Sequence, residues 1–290
     1  MNQLSLHSRG ILITGGSSGI GEAVAKACVL SGADVTICAR SADNLAVAQR
    51  DLDGLKAPHQ RVVTKVADVS DAAAVTELIA TAAKGMQQFT GLVNCAAVLG
   101  PIGALDEIDF EEWIAAIRIN LIGTAQLCRG VLPYFQQQHY GKIVNFSGGG
   151  ATSPRPRFSA YAASKAAVVR LTENLAKELE GTGIDVNAVA PGAVNTRMLQ
   201  EVLDASPEQV GQTIYQEAVK QKERGGTPPE KAADLCVTLL SAASDGLTGR
   251  LISAVWDPWP SLSQWKDKLA ATDVYTLRRI APNDRGIILE

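Results

Sequence analysis

Gly10-Ile11-Leu12-Ile13-Thr14, followed without a break by Gly15-Gly16-Ser17-Ser18-Gly19-Ile20-Gly21, decides the fold. A short β-type run enters a glycine-rich turn, and a helical pattern over 18–31 leaves it. Strand, turn and helix in this order open a βαβ unit. Glycines in such a turn let the backbone come close to a pyrophosphate. The helix start adds unpaired N–H groups and the positive end of a dipole. The spacing is Gly-x-x-x-Gly-x-Gly, not the more familiar Gly-x-Gly-x-x-Gly. A turn needed only for tight packing would look similar. Its place in the first strand-to-helix connection favours a dinucleotide cradle built from Gly15, Ser17, Ser18, Gly19, Ile20 and Gly21.

The rhythm continues along the chain. β-type runs at 10–14, 34–39, 61–66, 91–95, 142–147, 185–190 and 250–255 are nearly continuous apolar segments, as in parallel strands covered on both faces. Helical patterns at 43–52, 71–86, 109–138, 159–180 and 230–241 lie between them. Asp71 and Ser159 are suited to N-caps, and Gly32 and Gly181 to helix ends. The expectation is one α/β domain, a doubly wound parallel sheet of about seven strands. Residues 1–255 form its body, with a polar, Gly/Pro-hinged lid over 193–229. An aromatic extension over 256–290 carries Trp256, Trp259 and Trp265; it is too apolar for a free tail and packs on its own domain or a neighbour.

Composition narrows the function. The 290 residues are 46% hydrophobic and 20% charged with net charge −3, and no basic block marks a nucleic-acid or membrane partner. Aromatics at 5% are too sparse for a base-stacking platform. Cys28, Cys38, Cys95, Cys128 and Cys236 are scattered, as small buried hydrophobes in a reducing compartment are. His7, His59 and His139 show no ligand spacing, so no metal site is expected. The first residues lack the pattern of a secretory signal, and no apolar stretch is long enough to span a bilayer, so a cytoplasmic protein is expected.

The chemistry sits in Tyr161-Ala-Ala-Ser-Lys165, where two side chains at i and i+4 share a helix face, and in Ser147 at the end of a strand run. Asn94 ends the fourth strand run at the same crevice, and Asn120 lies in the long helix before the fifth. Each has an ordinary structural reading: a half-buried tyrosine, a solvated lysine, a turn serine, a core asparagine. Their order after a dinucleotide cradle favours hydride chemistry. At the end of the second run, Ala39 stands where an acidic residue would grip ribose hydroxyls, and Arg40-Ser41 follows. An arginine beside a serine suits a 2′-phosphate and favours NADP(H) over NAD(H), although a solvated surface arginine looks the same. Asp68-Val69 closes the third strand, where Asp68 either meets the adenine amino group or caps the next helix.

These motifs together resemble the short-chain dehydrogenase/reductase family in its compact branch, over residues 10 to 255. The matching stretches are 14–21, Asp68-Val69, Asn94-Cys-Ala-Ala97, Asn120, Ser147, Tyr161–Lys165 and Pro191-Gly-Ala-Val-Asn-Thr196. The resemblance implies a Rossmann-type fold and interconversion of a ketone and a secondary alcohol. Tyr161 would be the general acid/base, with Lys165 lowering its pKa and holding the nicotinamide ribose. Ser147 would bind the substrate oxygen, and Asn120 would hold a relay water. Asn94 and Ala96 would line the cofactor, and Pro191, Gly192, Val194 and Thr196 would cradle its nicotinamide end. It also implies a homodimer or homotetramer. Two departures stand out: Ala97 replaces a glycine, and Ala254–Trp259 replaces an Asp-Gly-Gly turn. A non-catalytic NADP(H)-binding regulator and a sugar epimerase or dehydratase with retained nicotinamide are the competing readings.

For the substrate, Ser153-Pro-Arg155-Pro-Arg157-Phe158 lies between Ser147 and Tyr161. Two arginines there suit an anionic or polyol compound, or else a solvated loop or subunit contact. Trp256 and Trp259 either line the pocket or seal a core.

Overall fold

The structure is a computed structural model that describes residues 4–288. Seven parallel strands form one sheet in the order β3-β2-β1-β4-β5-β6-β7. They are β1 (Gly10–Thr14), β2 (Asp34–Ala39), β3 (Val62–Val66), β4 (Phe89–Asn94), β5 (Gly141–Phe146), β6 (Ile184–Ala190) and β7 (Leu251–Ser253). The order reverses between β1 and β4, which opens a crevice at the carboxyl ends of the central strands. β1, β4 and β5 are buried along their whole length, which accounts for their continuous apolar reading.

Helices cover both faces. α1 (Gly19–Leu30) and α2 (Ala42–Leu55) enclose, with α10 (Pro229–Leu240), a core that includes Val24, Leu52 and Leu235. On the other face, α3 (Ala72–Gly85) and the helices before and after β5 enclose a second core around Leu78, Val131 and Phe135. Asp71 caps α3 by accepting from Ala73 N and Ala74 N, as expected. Gly32 and Gly181 take positive φ just past their helices. The long pattern at 109–138 is a helical run in three parts. These are α4 (Phe110–Ile117), a π-helical turn at Arg118–Ile122, and α5 (Gly123–Gln137). α6 (Ser159–Glu178) begins one residue earlier than an N-cap at Ser159 would place it. Phe158 holds the N-cap position, and Ser159 Oγ instead accepts from Trp113 Nε1 at 3.1 Å.

The lid is helical. α7 (Arg197–Asp204), α8 (Pro207–Val210) and α9 (Gln212–Arg224) lie over Leu99, just past β4, and the start of α6. Their Val202, Val210 and Ala218 pack with Leu99, Phe158 and Tyr161 into an apolar cluster separate from the two main cores.

The C-terminal extension lies on its own subunit. It carries a 3-10 segment (Trp259–Gln264) and α11 (Lys266–Ala270), which bury Leu262 and Leu269 in the first core. Arg250 donates to the carbonyls of Thr272 and Val274, and Leu251 N donates to Tyr275 O at 2.8 Å. The open edge of β7 is therefore covered by the chain that follows it, which protects a short edge strand from stray pairing. Trp259 seals the core and donates its indole N–H to Ala254 O. Trp256 is 85% exposed and seals no core. Among the described residues, no helix is long and apolar enough to cross a membrane, and no cluster has metal-ligand composition.

Candidate active site

The glycine turn after β1 sits at the crevice. Gly21 is packed so closely that a methyl group on it would overlap the Gly15 carbonyl oxygen. Thr14 Oγ1 accepts from both Cys95 N and Ala96 N at 3.1 Å, which ties this turn to the end of β4. Ser18 is the N-cap of α1, yet its side chain makes no capping bond. Its hydroxyl and the first-turn N–H groups are thus left for a ligand. Thr196, N-cap of α7, is likewise without a side-chain capping bond. Its methyl lies 3.4 Å from the position a Gly19 Cβ would take. Residues 191–196 therefore overhang the cradle. Open amides, two uncommitted hydroxyls and a backbone that tolerates no Cβ fit the pyrophosphate of a nicotinamide dinucleotide.

At the far end of the cradle Arg40 is exposed and Ser41 caps α2, accepting from Asn44 N at 3.2 Å. Asp68 is not a helix cap. Its Oδ1 accepts from Ser70 N and Ser70 Oγ at 2.8 and 2.7 Å, and Asp71 does the capping. Burial pushes the Asp68 carboxyl up, but the Ser70 bonds and the Arg40 charge outweigh it and hold it below its ordinary value. It stays ionised, with Oδ2 free to accept.

The structure corrects the expectation for one asparagine and shows how the other is tied to the fold. Asn94 does not open onto the crevice. It faces its register partner Asn145 across β4 and β5 and donates to Asn145 Oδ1 at 2.8 Å. Asn145 in turn donates to Thr172 Oγ1 at 2.9 Å. The Asn94 side chain is thus held within the sheet, 4% exposed. Asn120 is a clasp. Its Oδ1 accepts from Val98 N, and its Nδ2 donates to Val98 O and Ser164 Oγ. Its side chain is fully committed, while its carbonyl accepts from Thr124 Oγ1 at 2.8 Å and keeps a second lone pair.

Ser147, Tyr161 and Lys165 do come together. Ser147 follows β5 and is anchored by its N–H to Val189 O at 2.8 Å. One helical turn places Lys165 beneath Tyr161, with Nζ 5.8 Å from the phenol ring centre and donating to Phe146 O at 2.8 Å. Gly148 was not singled out by the sequence reading, although it opens a run of three glycines after Ser147. A methyl group there would overlap the Tyr161 hydroxyl, so glycine is what lets the phenol oxygen lie beside the Ser147 turn.

Burial shapes the electrostatics. It pulls the Lys165 ammonium down to about 8, with Cys95 opposing. It raises the Tyr161 phenol, and the Arg155 charge opposes that rise. Burial also pushes the neighbouring Cys95 thiol up to about 12, so this cysteine is a neutral wall rather than a nucleophile.

A glycine turn with open amides beside a buried Ser/Tyr/Lys group, on a doubly wound sheet, fits a dehydrogenase. The short chain dehydrogenase family model matches residues 9–207, and the chain belongs to that family of NAD(P)-dependent oxidoreductases. It is 34% identical over 242 residues to 2-(S)-hydroxypropyl-CoM dehydrogenase 3 of Xanthobacter autotrophicus, covering 82% of this chain and 92% of that one. It is 33% identical over 249 residues to a 3-oxoacyl-[acyl-carrier-protein] reductase of Thermotoga maritima, covering 86% and 97%. Among solved structures, levodione reductase superposes with a TM-score of 0.78 at 28% identity, over 89% of this chain and 98% of that one.

Proposed function

We propose that the protein interconverts a ketone and a secondary alcohol with NADP(H), using Tyr161 as general acid/base. The observation that carries this reading is the Ser147/Tyr161/Lys165 group, buried at the switch point of the sheet beside the glycine cradle. The nicotinamide, when bound, supplies or accepts the hydride. Gly15, Ser17, Ser18, Gly19, Ile20 and Gly21 would hold its pyrophosphate. Asp68 and Val69 would meet the adenine, the Ala96 backbone the adjoining ribose, and Pro191, Gly192, Val194 and Thr196 the nicotinamide end. Ser147 would donate a hydrogen bond to the substrate oxygen and stabilise developing charge there. Tyr161 would give that oxygen its proton in reduction and remove it in oxidation, with the Lys165 ammonium favouring the phenolate. The test is a panel of ketones and secondary alcohols run with NADPH and NADH at the nicotinamide absorbance band; turnover with none of them would sink the reading.

Arg40 carries the cofactor preference in this reading. It is exposed, and its charge is felt by the ionised Asp68 beside it. A 2′-phosphate between Arg40 and the Ser41 hydroxyl would receive charge-assisted hydrogen bonds. Arg40→Ala is expected to weaken NADPH binding by about tenfold or more while NADH changes little, since a hydrogen bond to a charged group is worth about 1.5–3 kcal/mol. Equal losses for both cofactors, by fluorescence titration, would show Arg40 to be a bystander.

Self-association is the second part of the proposal. Of the apolar residues on α4–α6, Leu127, Val131 and Val168 belong to the subunit's own core. Ile114, Ile117, Leu121, Ala163, Ala167 and Leu171 keep exposure on the outer faces, near the exposed Phe110 and Ile122. Such a surface suits a symmetric helix-bundle contact, in a homodimer or homotetramer. Light scattering is expected to give a multiple of the 30.5 kDa chain mass, and a monomer at all concentrations would exclude it.

A further inference from the structure

We infer that the substrate carries an anionic group, a carboxylate, sulfonate or phosphate, which Arg155 holds within reach of Tyr161. This rests on the proposed site of reaction at Tyr161 and names the class of compound it takes.

Arg155 lies on the loop from β5 to α6, directly before the helix that carries Tyr161. Its guanidinium carbon stands 4.3 Å from the Phe158 ring centre and 6.0 Å from that of Tyr161. Its Nη1 rests against Gly149, 2.9 Å from where a Cβ would be, so the loop has the room this arginine needs. Among the described residues it donates no side-chain hydrogen bond and forms no ion pair, whereas Arg157 two residues on donates to Gln209 O at 3.3 Å. Every other described arginine without an acceptor is exposed; Arg155 is partly buried.

That combination is costly in the free protein. Burial lowers the tendency of the guanidinium to stay charged, and the charges at Tyr161 and Glu217 only partly offset this. Glu217, on the exposed side of α9, lies beyond ion-pair distance. Phe158 and Tyr161, whose rings the guanidinium faces, belong to an apolar cluster with Leu99, Val202, Val210 and Ala218. One unpaired planar cation at the edge of an apolar cluster, beside the phenol proposed to react, selects a compact molecule with an apolar body and an anionic end. Five N–H donors in a fixed fork match a carboxylate, sulfonate or phosphate through paired hydrogen bonds.

The experiment compares charged ketones with neutral counterparts. Acetoacetate and levulinate are assayed against their methyl esters, and acetonylsulfonate and acetonylphosphonate against the same esters, to separate the three anions. At least one acid is expected to exceed its ester in kcat/KM by about 10- to 100-fold. In Arg155→Gln that ratio falls toward one, and Arg155→Lys, which keeps charge without the fork, lies between. Succinate, which cannot be reduced here, is expected to raise the melting temperature of the wild type and not of Arg155→Gln. Esters turned over as well as all the acids, or an acid/ester ratio untouched by Arg155→Gln, would overturn the inference. Turnover of neutral ketones without succinate binding would remove the anion site and leave the Tyr161 reading intact. Arg155-dependent succinate binding without any ketone turnover would do the reverse.

Discussion

Tyr161→Phe is expected to lower kcat by about 10²–10⁴-fold, the range that positioned proton transfer supplies, while NADPH still binds within about twofold of wild type. Phenylalanine keeps the ring against Phe158, Leu99 and the lid, so the apolar cluster survives. What is lost is one oxygen, the atom that lies beside the Ser147–Gly148 turn. Lys165 keeps its bond to Phe146 O. The pH profile adds a sign. Burial raises the Tyr161 phenol, so in the free protein it is protonated at neutral pH. Ketone reduction needs that proton and should weaken as pH rises; alcohol oxidation needs the phenolate and should strengthen. In Tyr161→Phe both slopes due to this group should vanish. Steady-state kinetics with a parallel fluorescence titration decide the point, and a variant retaining more than about a tenth of the rate would remove Tyr161 from the proton-transfer role.

The strands could be placed from sequence because parallel strands buried on both faces leave continuous apolar runs. β1 and β2 fall on the residues read, and the others shift by a residue or two at their ends. β7 is the exception: it has three residues, and the chain beyond it turns back to cover its edge, a tertiary choice that no local run of apolar residues encodes. The lid read as a polar loop because its helices are short and each buries only a narrow stripe, such as Val202 on α7 and Ala218 on α9. Tyr161 and Lys165 were legible because an i, i+4 spacing on a helix has a single geometric meaning. Asn94 and Asn120 were not, since the residue type leaves open whether an amide faces a ligand or clasps the backbone. Val98 and Asn145, the partners that settle it, are distant in sequence. Gly148 was hidden for a related reason: its constraint comes from a side chain thirteen positions away.

Lys142 was read only as part of a strand, and its substitution is expected to produce the largest loss of stability. It is 1% exposed, near the amino end of β5 and so at the opposite end of the sheet from Tyr161. Nζ reaches Asp185 Oδ2 at 2.6 Å and Asp245 Oδ1 at 2.7 Å. Asp185 is its register partner on β6 and also accepts from Gly246 N at 3.0 Å. Burial pushes the Asp185 carboxyl up, and the Lys142 charge and hydrogen bond pull it back. Lys142→Met would leave Asp185 as a buried charge with only the Gly246 amide for compensation. Breaking a buried pair in this way costs about 3–5 kcal/mol, or a fall of roughly 10 °C in Tm for a chain of this size. The direction with pH follows from the raised carboxyl: as pH falls, Asp185 takes up a proton, the stranded charge disappears, and the gap between variant and wild type should narrow. The double variant Lys142→Met/Asp185→Leu should recover most of the loss, because a packed apolar pair can replace a buried ion pair at little cost, and Asp245 is exposed enough to hydrate. Calorimetry of the three proteins tests this. A single variant that melts within about 2 °C of wild type would mean that Asp185 finds water or another donor, and that the pair contributes little to holding β5 against β6.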